Sequence, residues 1–567
     1  MLKCICVLTA ALATLGICAL LVTGRLPLGI PDEWEWGKIE SSSRWPEALV
    51  AGLAATAYLV FVWFGWHWVA GGRPWTRRAA VAALVPAGFV VQMALQLPGY
   101  GLAKWPMVLF NFGSSGYYTV ARTEGFDASD FLAHYDQFQK RQDPFHLGTH
   151  PPGLILLHYG ALRWCEANPR VTHALLSFEP QGVRDGFRVV VPGGRLPPTD
   201  EASLWLVALV TQLASALTVV PLYWLARRTS GPGAAWGAVA MCPLVPAVAL
   251  FCPKSDVLYS LLATTCVAVS LSGRSLSARS CCAVLAGLVL WIGLFLSLAL
   301  VTVVPVIVLA TVLAELPSWK KALLAISQRL AALVAGVLIP TAVFWVATDH
   351  NLLATWKECY RKHAEFYKEM PRSYWPWVGF NLAEFAVAMG VPLFVAAVAG
   401  TVLLGRRCRT PRPQAPASMD SESAVAGGGA GRSSETGGGD PSPNSAGALV
   451  WAWWATVLAL DLSGKNLGEV ARLWIFLIPF AVPAAAAALE RLGNRPWLAL
   501  VLQLSLGLQT IVFVSNVQGF MDPRSIKIPG QNPEIRGQKS EIRSQRSEVN
   551  DQDHPGSRVF AFLTSDS

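Results

Sequence analysis

The sequence predicts an all-α protein that crosses a membrane many times, and three observations support this prediction. Of its 567 residues, 53% are hydrophobic and 14% are charged, and the mean hydropathy is +0.42, well above that of soluble globular chains. Apolar runs of about 17–25 residues recur, the length that a helix needs to cross a hydrocarbon core of about 30 Å. These runs do not alternate in polarity, as the strands of a membrane barrel would.

Thirteen apolar runs are candidates for transmembrane helices, so we expect about 11–13 of them, with additional interfacial helices on the external face. The first run follows Lys3 without a convincing small-residue cleavage site, which favours a retained signal-anchor helix. The runs cover residues 4–24, 47–70, 79–98, 202–225, 233–251, 255–272, 281–297, 299–315, 323–347, 380–404, 446–462, 473–489 and 496–515.

Basic residues in the short loops indicate the orientation of the chain. If the runs are threaded in order, these loops share one face, which the positive-inside rule assigns to the cytoplasm. We interpret residues 154–164 as a re-entrant or interfacial helix, because a full span there would move the later basic loops to the other face. The basic residues are Arg73, Arg77, Arg78, Arg227, Arg228, Arg274, Arg279, Lys320, Lys321, Arg406, Arg407, Arg409, Arg491 and Arg495.

The long loops fall on the opposite face, and long loops are where functional residues concentrate. We therefore expect a multi-pass protein of the inner (cytoplasmic) membrane with its active site on the external, periplasmic side. Residues 356–374 mix basic and aromatic side chains, which predicts an interfacial helix that holds an anionic lipid or forms an aromatic belt. The external segments are residues 25–46, 99–201, 254–256, 349–377 and 461–472.

Composition divides the chain into four segments. Residues 1–405 and 447–516 are predicted to form the two parts of the transmembrane core. Residues 406–446, rich in Gly, Ser and Pro, are typical of a disordered cytoplasmic linker, and the polar residues 517–567 are typical of a disordered tail. The net charge of +9 lies largely in the inner loops and the tail, which suits a lipid bilayer better than nucleic acid.

Two motifs in the external loops carry candidate chemistry. Asp32 and Glu33 begin an acidic cluster with the sequence Asp-Glu-Trp-Glu-Trp just after the first run, although an interfacial loop with tryptophan anchors also explains it. The segment His-Leu-Gly-Thr-His-Pro-Pro-Gly, which ends at Gly153, precedes a short apolar helix. Its two prolines keep the chain extended up to the helix, so His150 is held rigidly at the membrane interface.

The acidic pair followed by His-Pro-Pro-Gly resembles the GT-C class of integral-membrane glycosyltransferases, most closely the protein O-mannosyltransferase and aminoarabinose-transferase branch (glycosyltransferase family 39-like). In that branch an Asp-Glu pair lies in the first external loop, and a His-Pro-Pro motif opens a later helix. The resemblance covers roughly the first 160 residues by motif and the rest by the pattern of spans only. The residues that flank both motifs differ from those of either enzyme.

This resemblance implies an inverting transfer of a sugar from a polyprenyl-phosphate-linked donor to an acceptor protein, lipid or glycan. Asp32 is then the candidate general base for the acceptor hydroxyl, and Glu33 orients acceptor or phosphate-side groups. A retaining mechanism would need a second carboxylate opposite the first, and none is evident. No metal ligands are predicted; some enzymes of the class use a divalent metal and others do not, so this cofactor question stays open.

The departing lipid phosphate must be met by cations or hydrogen-bond donors. Arg472 is the first candidate, because its planar guanidinium suits phosphate oxygens, although a pair with Glu469 three residues earlier also fits a snorkelling arginine. His150 is the next candidate, for a phosphate or acceptor contact. The remaining candidates lie in the Arg472 loop and in a tight turn between two earlier runs: Lys465, Lys254 and Asp256.

Two other classes of function stay open. A secondary transporter or a flippase for lipid-linked sugars would show repeated halves and charges at mid-membrane, and we find neither pattern. A surface-polysaccharide polymerase or ligase, or a non-catalytic scaffold, would share the large external loop, and the acidic pair of the first loop distinguishes the transferase from them.

Overall fold

The computed structural model describes residues 2–39, 45–111, 114–142, 144, 146–191, 195–273, 275–315, 319–409, 443–493 and 495–520. Two predicted segments fall largely outside this description: residues 410–442 of the linker and residues 521–567 of the tail. The helix before the linker ends at Arg409, and the helix after it begins at Pro443.

The described chain is almost entirely helical, which confirms the all-α fold class. Its strands are four two-residue segments: β1 (Gly29–Ile30), β2 (Trp34–Glu35), β3 (Gly37–Lys38) and β4 (Val517–Gln518). The first helices are α1 (Leu2–Val22), α2 (Trp45–Gly71), α3 (Pro74–Leu95), α4 (Lys104–Leu109), α5 (Tyr117–Ala121), α6 (Ala128–Ala133), α7 (Tyr135–Arg141), α8 (Gly153–Ala167), α9 (Pro169–Ser177), α10 (Gln181–Val190), α11 (Pro198–Leu217) and α12 (Val219–Ala226).

The second part of the chain continues this pattern. Its helices are α13 (Pro232–Val239), α14 (Pro246–Phe251), α15 (Ser255–Ser270), α16 (Leu276–Leu296), α17 (Val303–Glu315), α18 (Trp319–Thr348), α19 (Leu352–Glu369), α20 (Tyr374–Met389), α21 (Val391–Arg409), α22 (Pro443–Leu462), α23 (Val470–Leu473), α24 (Ala481–Leu492) and α25 (Pro496–Asn516). Five short 3₁₀ turns in the described residues adjoin or precede these helices: Gly101–Ala103, Leu147–Thr149, Cys242–Leu244, Leu298–Thr302 and Ile475–Phe480.

Nine helical segments of the described residues are long and apolar enough to cross a membrane, or ten if the bent pair α20–α21 counts as one span. Three shorter apolar helices, within α1, α15 and α22, account for the remaining predicted runs. The chain is thus a polytopic membrane protein, and the nine full-length segments are Trp45–Gly71, Pro74–Leu95, Pro198–Ala226, Pro232–Phe251, Leu276–Leu296, Leu298–Glu315, Ile326–Thr348, Ile475–Leu492 and Pro496–Asn516.

The count of full-length spans is lower than the predicted 11–13 because three runs form shorter helices and a fourth is bent. The run at 380–404 is interrupted at Gly390, where the backbone has a φ of +94° and the two helices meet at 107°. This φ favours glycine, and a β-carbon at residue 390 would also lie 2.1 Å from a methyl carbon of Leu506.

Residues 154–164 lie in α8, which has 15 residues. At 1.5 Å per residue such a helix is about 22 Å long, too short to cross the hydrocarbon core. The helix packs against α5 and α11 beside the long loop that follows α3. Its length favours the interpretation of 154–164 as a segment that does not span.

Small residues let the membrane helices approach closely. Where α16 crosses α18, a β-carbon on Gly287 would lie 2.2 Å from the carbonyl oxygen of Leu333, and one on Gly336 would lie 2.2 Å from that of Val284. Gly400 of α21 approaches the backbone of Ala484 in the same way. Such contacts replace the hydrophobic effect as the source of helix association inside a bilayer.

The two ends of the bundle differ as the threading predicts. At one end the predicted external loops come together around a cavity. At the other end the predicted inner loops contact one another: Arg228 donates to the carbonyl of Leu271, Glu490 accepts from the amide of Gly231, and Arg279 lies 3.9 Å from Glu315.

Candidate active site

A cavity of about 950 Å³ lies at the end of the bundle that holds the predicted external loops. Six of the eight predicted site residues line it: Lys254, Asp256, His150, Lys465, Glu469 and Arg472. Other parts of the wall come from the first loop, from α19 and the segment that follows it, and from the residues after α25: Trp34, Glu35, Trp36, Phe366, Tyr367, Arg372, Gln518 and Phe520. Charged groups from distant parts of the sequence therefore share one space.

Glu469 is placed between two arginines. Its Oε2 accepts a hydrogen bond from Nη2 of Arg472 at 2.7 Å, and its Oε1 lies 3.3 Å from Nη2 of Arg372. Although burial opposes ionisation, both guanidinium groups hold the pKa of Glu469 below its usual range. The predicted pair of Glu469 and Arg472 is therefore present, and Arg372 adds a second cation.

The two arginines differ in what they leave available. Arg372 donates to the carbonyl of Leu467 and to Glu469, and its guanidinium lies 5.4–5.5 Å from the ring centres of Trp34, Phe366 and Trp377. Within the described residues Arg472 has an acceptor for Nη2 alone, and the buried Nε atoms of both arginines have none. Arg472 is thus the arginine with more donors to spare for a ligand.

A tight loop before α23 positions Glu469 and Arg472. Gly468 and Glu469 both have positive φ angles, +89° and +59°. Asn381 of α20 holds this loop: it accepts a hydrogen bond from the amide of Gly468 at 2.9 Å and donates one to the carbonyl of Asn466 at 2.8 Å. From α19, Tyr367 donates to the carbonyl of Lys465 and accepts from the amide of Leu467. Two helices, α19 and α20, therefore hold the loop that positions Glu469 and Arg472.

Lys254 is the N-cap residue of α15 and is only 8% exposed. Burial, with a further contribution from the charge of Arg472, lowers the pKa of its ammonium group to about 7. A buried ammonium next to an arginine is costly unless an anion compensates it. Lys465 faces the same cavity, with its ammonium 4.4 Å from the centre of the Tyr360 ring.

His150 is fixed by its neighbours, as its place before two prolines predicts. Its Nδ1 lies 2.9 Å from the carbonyl oxygen of His146, so Nδ1 carries the proton and Nε2 is an acceptor. Burial lowers the pKa of His150, against the opposing effects of that carbonyl and of Asp256. The hydroxyl of Tyr135 donates to the His150 carbonyl at 2.7 Å and fixes the backbone.

Asp256 lies in the first turn of α15 and lines the cavity. In the described chain its carboxylate has no cation within 4.0 Å, yet it acts electrostatically on His150, Lys254 and Arg472. Glu469, in contrast, is occupied by two arginines. Asp256 is therefore the half-buried carboxylate of this cavity that is available to an incoming hydroxyl group.

Asp32 and Glu33 do not line the cavity, although the next residues of the first loop do. The carboxylate of Glu33 accepts hydrogen bonds from the amide and hydroxyl of Ser373 and from the indole of Trp377, at 2.5–2.9 Å. These bonds lower the pKa of Glu33 and fasten the first loop to α20. Asp32 is exposed, at the tip of a turn with a φ of +66°.

The sequence-based reasoning missed Arg372 as a site residue. This arginine lies in the predicted interfacial segment 356–374, most of which forms α19, and its charge alone did not separate it from the neighbouring basic residues. The available signal was its position among aromatic residues, since a buried guanidinium often stacks on aromatic rings.

Within the described residues, no group of three or more His, Cys, Asp or Glu side chains is arranged to hold a metal ion.

Comparisons with known proteins identify a distant structural likeness. Two structures of the oligosaccharyltransferase of Archaeoglobus fulgidus, one with zinc and sulfate and one tethered to an acceptor peptide containing the NVT sequon, are each 13% identical to this chain. They match 80% and 81% of it, with TM-scores of 0.38 and 0.41. This chain spans 56% and 58% of their length. At these values the likeness carries no functional conclusion.

No protein-family model and no curated protein match the sequence. The functional proposal therefore depends on the cavity itself.

Proposed function

We propose that this protein is a membrane glycosyltransferase that moves a sugar from a polyprenyl-phosphate-linked donor to an acceptor hydroxyl on the external face of the membrane. The observation that carries the proposal is the meeting of Arg472, Lys254, His150 and Asp256 in one cavity at the end of the membrane helices. These side chains supply the two groups that such a transfer requires, cations for a phosphate and a carboxylate for a proton.

The phosphate of the donor fits the cationic side of the cavity. Arg472 offers unpaired N–H groups, and Lys254 offers an ammonium whose charge is compensated once a phosphate binds. Arg372 keeps Glu469 in place, so that Glu469 only partly neutralises the side chains that face the ligand. Preorganised donors of this kind stabilise charge that develops on a leaving group.

A lipid chain has a route to this phosphate position. Leu298, Ala299 and Val301 line the cavity at the start of the membrane span Leu298–Glu315, and Val301 is 47% exposed. The end of a membrane span thus forms part of the cavity wall. A polyprenyl chain that stays in the bilayer is able to present its phosphate to Arg472 from this side.

Asp256 is the candidate general base in this arrangement. Its carboxylate takes the proton of the acceptor hydroxyl while the hydroxyl oxygen forms a bond to the anomeric carbon. The bond between that carbon and the phosphate oxygen breaks, and its electron pair leaves with the lipid phosphate, which Arg472 and Lys254 receive. One displacement inverts the anomeric configuration. The neutral His150 accepts a hydrogen bond at Nε2 from a sugar or acceptor hydroxyl.

Transfer assays with two matched carboxylate variants test the proposal. Protein in proteoliposomes receives labelled polyprenyl-phosphate sugars and a membrane extract as the source of acceptors. We expect Asp256→Asn to lower the transfer rate by about 10²–10⁴-fold, because the general base is lost. We expect Asp32→Asn, at an exposed turn outside the cavity, to stay within about threefold of the parent protein.

The opposite pattern, with Asp32→Asn inactive and Asp256→Asn active, would restore the sequence-based assignment of Asp32 as the base. If the parent protein moves the intact donor across the bilayer and transfers no sugar, the protein is a flippase and the proposed reaction is wrong.

A further inference from the structure

Three arginines converge at the end of the bundle opposite the cavity. Arg228 follows α12, Arg279 lies in the first turn of α16, and Arg329 lies in α18. Arg329 is close enough to interact electrostatically with both of the others. All three belong to or adjoin the end that the positive-inside rule assigns to the cytoplasm.

The protein satisfies these guanidinium groups only in part. Arg228 donates to the carbonyl of Leu271, and Nη1 of Arg329 donates to the hydroxyl of Thr311 at 3.1 Å. The Nε atoms of Arg279 and Arg329 are buried and have no acceptor among the described residues. Buried N–H groups of charged side chains that lack an acceptor indicate a missing partner.

The charges are also unbalanced. Among the described residues, Glu315 is the carboxylate that interacts with these arginines, and it lies 3.9 Å from Arg279. Three cations and one carboxylate leave the cluster with an excess of two positive charges. Partly buried cations at short range repel one another unless an anion lies between them. The planar forks of arginine suit the oxygens of a phosphate group.

Exposed apolar side chains accompany the three arginines. The ring of Trp224, 41% exposed, lies 4.6 Å from the guanidinium carbon of Arg228. Leu276, three residues before Arg279, and Leu330, which follows Arg329 in the sequence, are also exposed. A phosphate that binds here therefore has hydrocarbon surface directly below it, as the phosphate of a membrane lipid requires.

We propose that Arg228, Arg279 and Arg329 bind a phosphate group, that of an anionic phospholipid in the leaflet opposite the cavity. The site is independent of the proposed transfer reaction, because none of its residues lines the cavity. A soluble phosphate has the same chemistry, and the experiment distinguishes the two sources.

Lipid binding to the purified, delipidated protein tests the site. Native mass spectrometry counts bound phosphatidylglycerol and phosphatidylcholine at equal concentrations, with inorganic phosphate as a third ligand. We expect phosphatidylglycerol to bind the parent protein and Arg279→Gln to weaken this binding about tenfold, the effect of one charge-assisted hydrogen bond. The side chain of Arg279 is 37% exposed, so this variant keeps the fold, and Arg329→Gln gives a second test.

Arg78→Gln is the matched control, because Arg78 is an exposed arginine near the same end of the bundle. We expect this variant to bind phosphatidylglycerol as the parent does. Equal binding of phosphatidylcholine and phosphatidylglycerol, or equal losses in the Arg78 and Arg279 variants, would overturn the proposal. If an equal concentration of inorganic phosphate fully displaced phosphatidylglycerol, the ligand of this site would be a soluble phosphate and not a lipid.

Discussion

At the scale of single residues, Glu469 sets the charge of the candidate active site. Its two carboxylate oxygens face two different arginines, and the side chain of Arg372 is only 2% exposed. Without this carboxylate both guanidinium groups would lose the carboxylate that pairs with them directly. Glu469 therefore stabilises the empty protein and also limits how strongly the site attracts an anion.

We predict that Glu469→Gln separates these two effects. The free energy of unfolding falls by about 3 kcal/mol, because a buried ion pair loses one partner. Binding of a polyprenyl-phosphate sugar becomes tighter, because the phosphate meets an additional unpaired cation. Thermal unfolding and equilibrium binding in detergent measure the two quantities. Asp185→Asn, in an exposed ion pair with Arg188, serves as the control and changes neither by more than about 1 kcal/mol.

Lys254 gives the site a predicted pH dependence. Its pKa in the empty protein is about 7, so the ammonium is charged below pH 7 and neutral above it. A polyprenyl-phosphate sugar is a phosphodiester and stays monoanionic in this range. We predict that its affinity falls about tenfold between pH 6 and pH 8.5. Lys254→Arg keeps its charge and abolishes this dependence, whereas Lys465→Arg retains it; an affinity that rises with pH would contradict the role of Lys254.

At the scale of elements, the loop between α22 and α23 forms part of the cavity wall at the ends of these helices. Its backbone is held by α19 and α20, and Glu33 fastens the first loop to α20 as well. The guanidinium of Arg372 lies between these segments, against Trp34 and Trp377. A displacement of the loop would therefore move Arg472 and Glu469 away from the phosphate position.

We predict that Gly468→Ala produces this displacement. A β-carbon at residue 468 would lie 2.6 Å from Nη1 of Arg372 and 2.8 Å from the ring of Trp377, and the φ of +89° already disfavours alanine. We expect transfer activity to fall at least about 10-fold, with the helical content unchanged in circular dichroism. Gly125→Ala is the control, because its φ is also positive but no atom lies within 4 Å of the added carbon. Equal activity of the two variants would contradict this prediction.

At the scale of the whole molecule, hydropathy predicts the fold better than it predicts the site. Each apolar run corresponds to one helix or to a few consecutive helices, because crossing a bilayer demands length and apolarity, both of which are local properties. Site residues depend on how distant loops meet. The pairs Asp-Glu and Glu-Arg look equally promising in the sequence, yet Glu33 is occupied by Ser373 and Trp377, whereas Arg472 and Asp256 face the cavity.

The threading makes a prediction about the whole molecule in its membrane. We expect Asp185→Cys, on the exposed surface of α10, to react with an impermeant maleimide added from outside the cell. Arg491→Cys, at the other end of the bundle, reacts only after the membrane is permeabilised. Labelling of the parent protein measures the background reaction of the native cysteines. Labelling of both variants from the same side would contradict the threading.

The short pairing of β3 with β4 brings the beginning and the end of the described chain together. Gly37 and Lys38 pair with Gln518 and Val517, α1 packs against α25, and the residues after α25 complete the cavity wall. During biosynthesis the first loop is therefore made long before its strand partner. A chain that has not yet inserted α25 has an unfinished cavity, so we expect the proposed transfer activity only after this last helix is in the membrane.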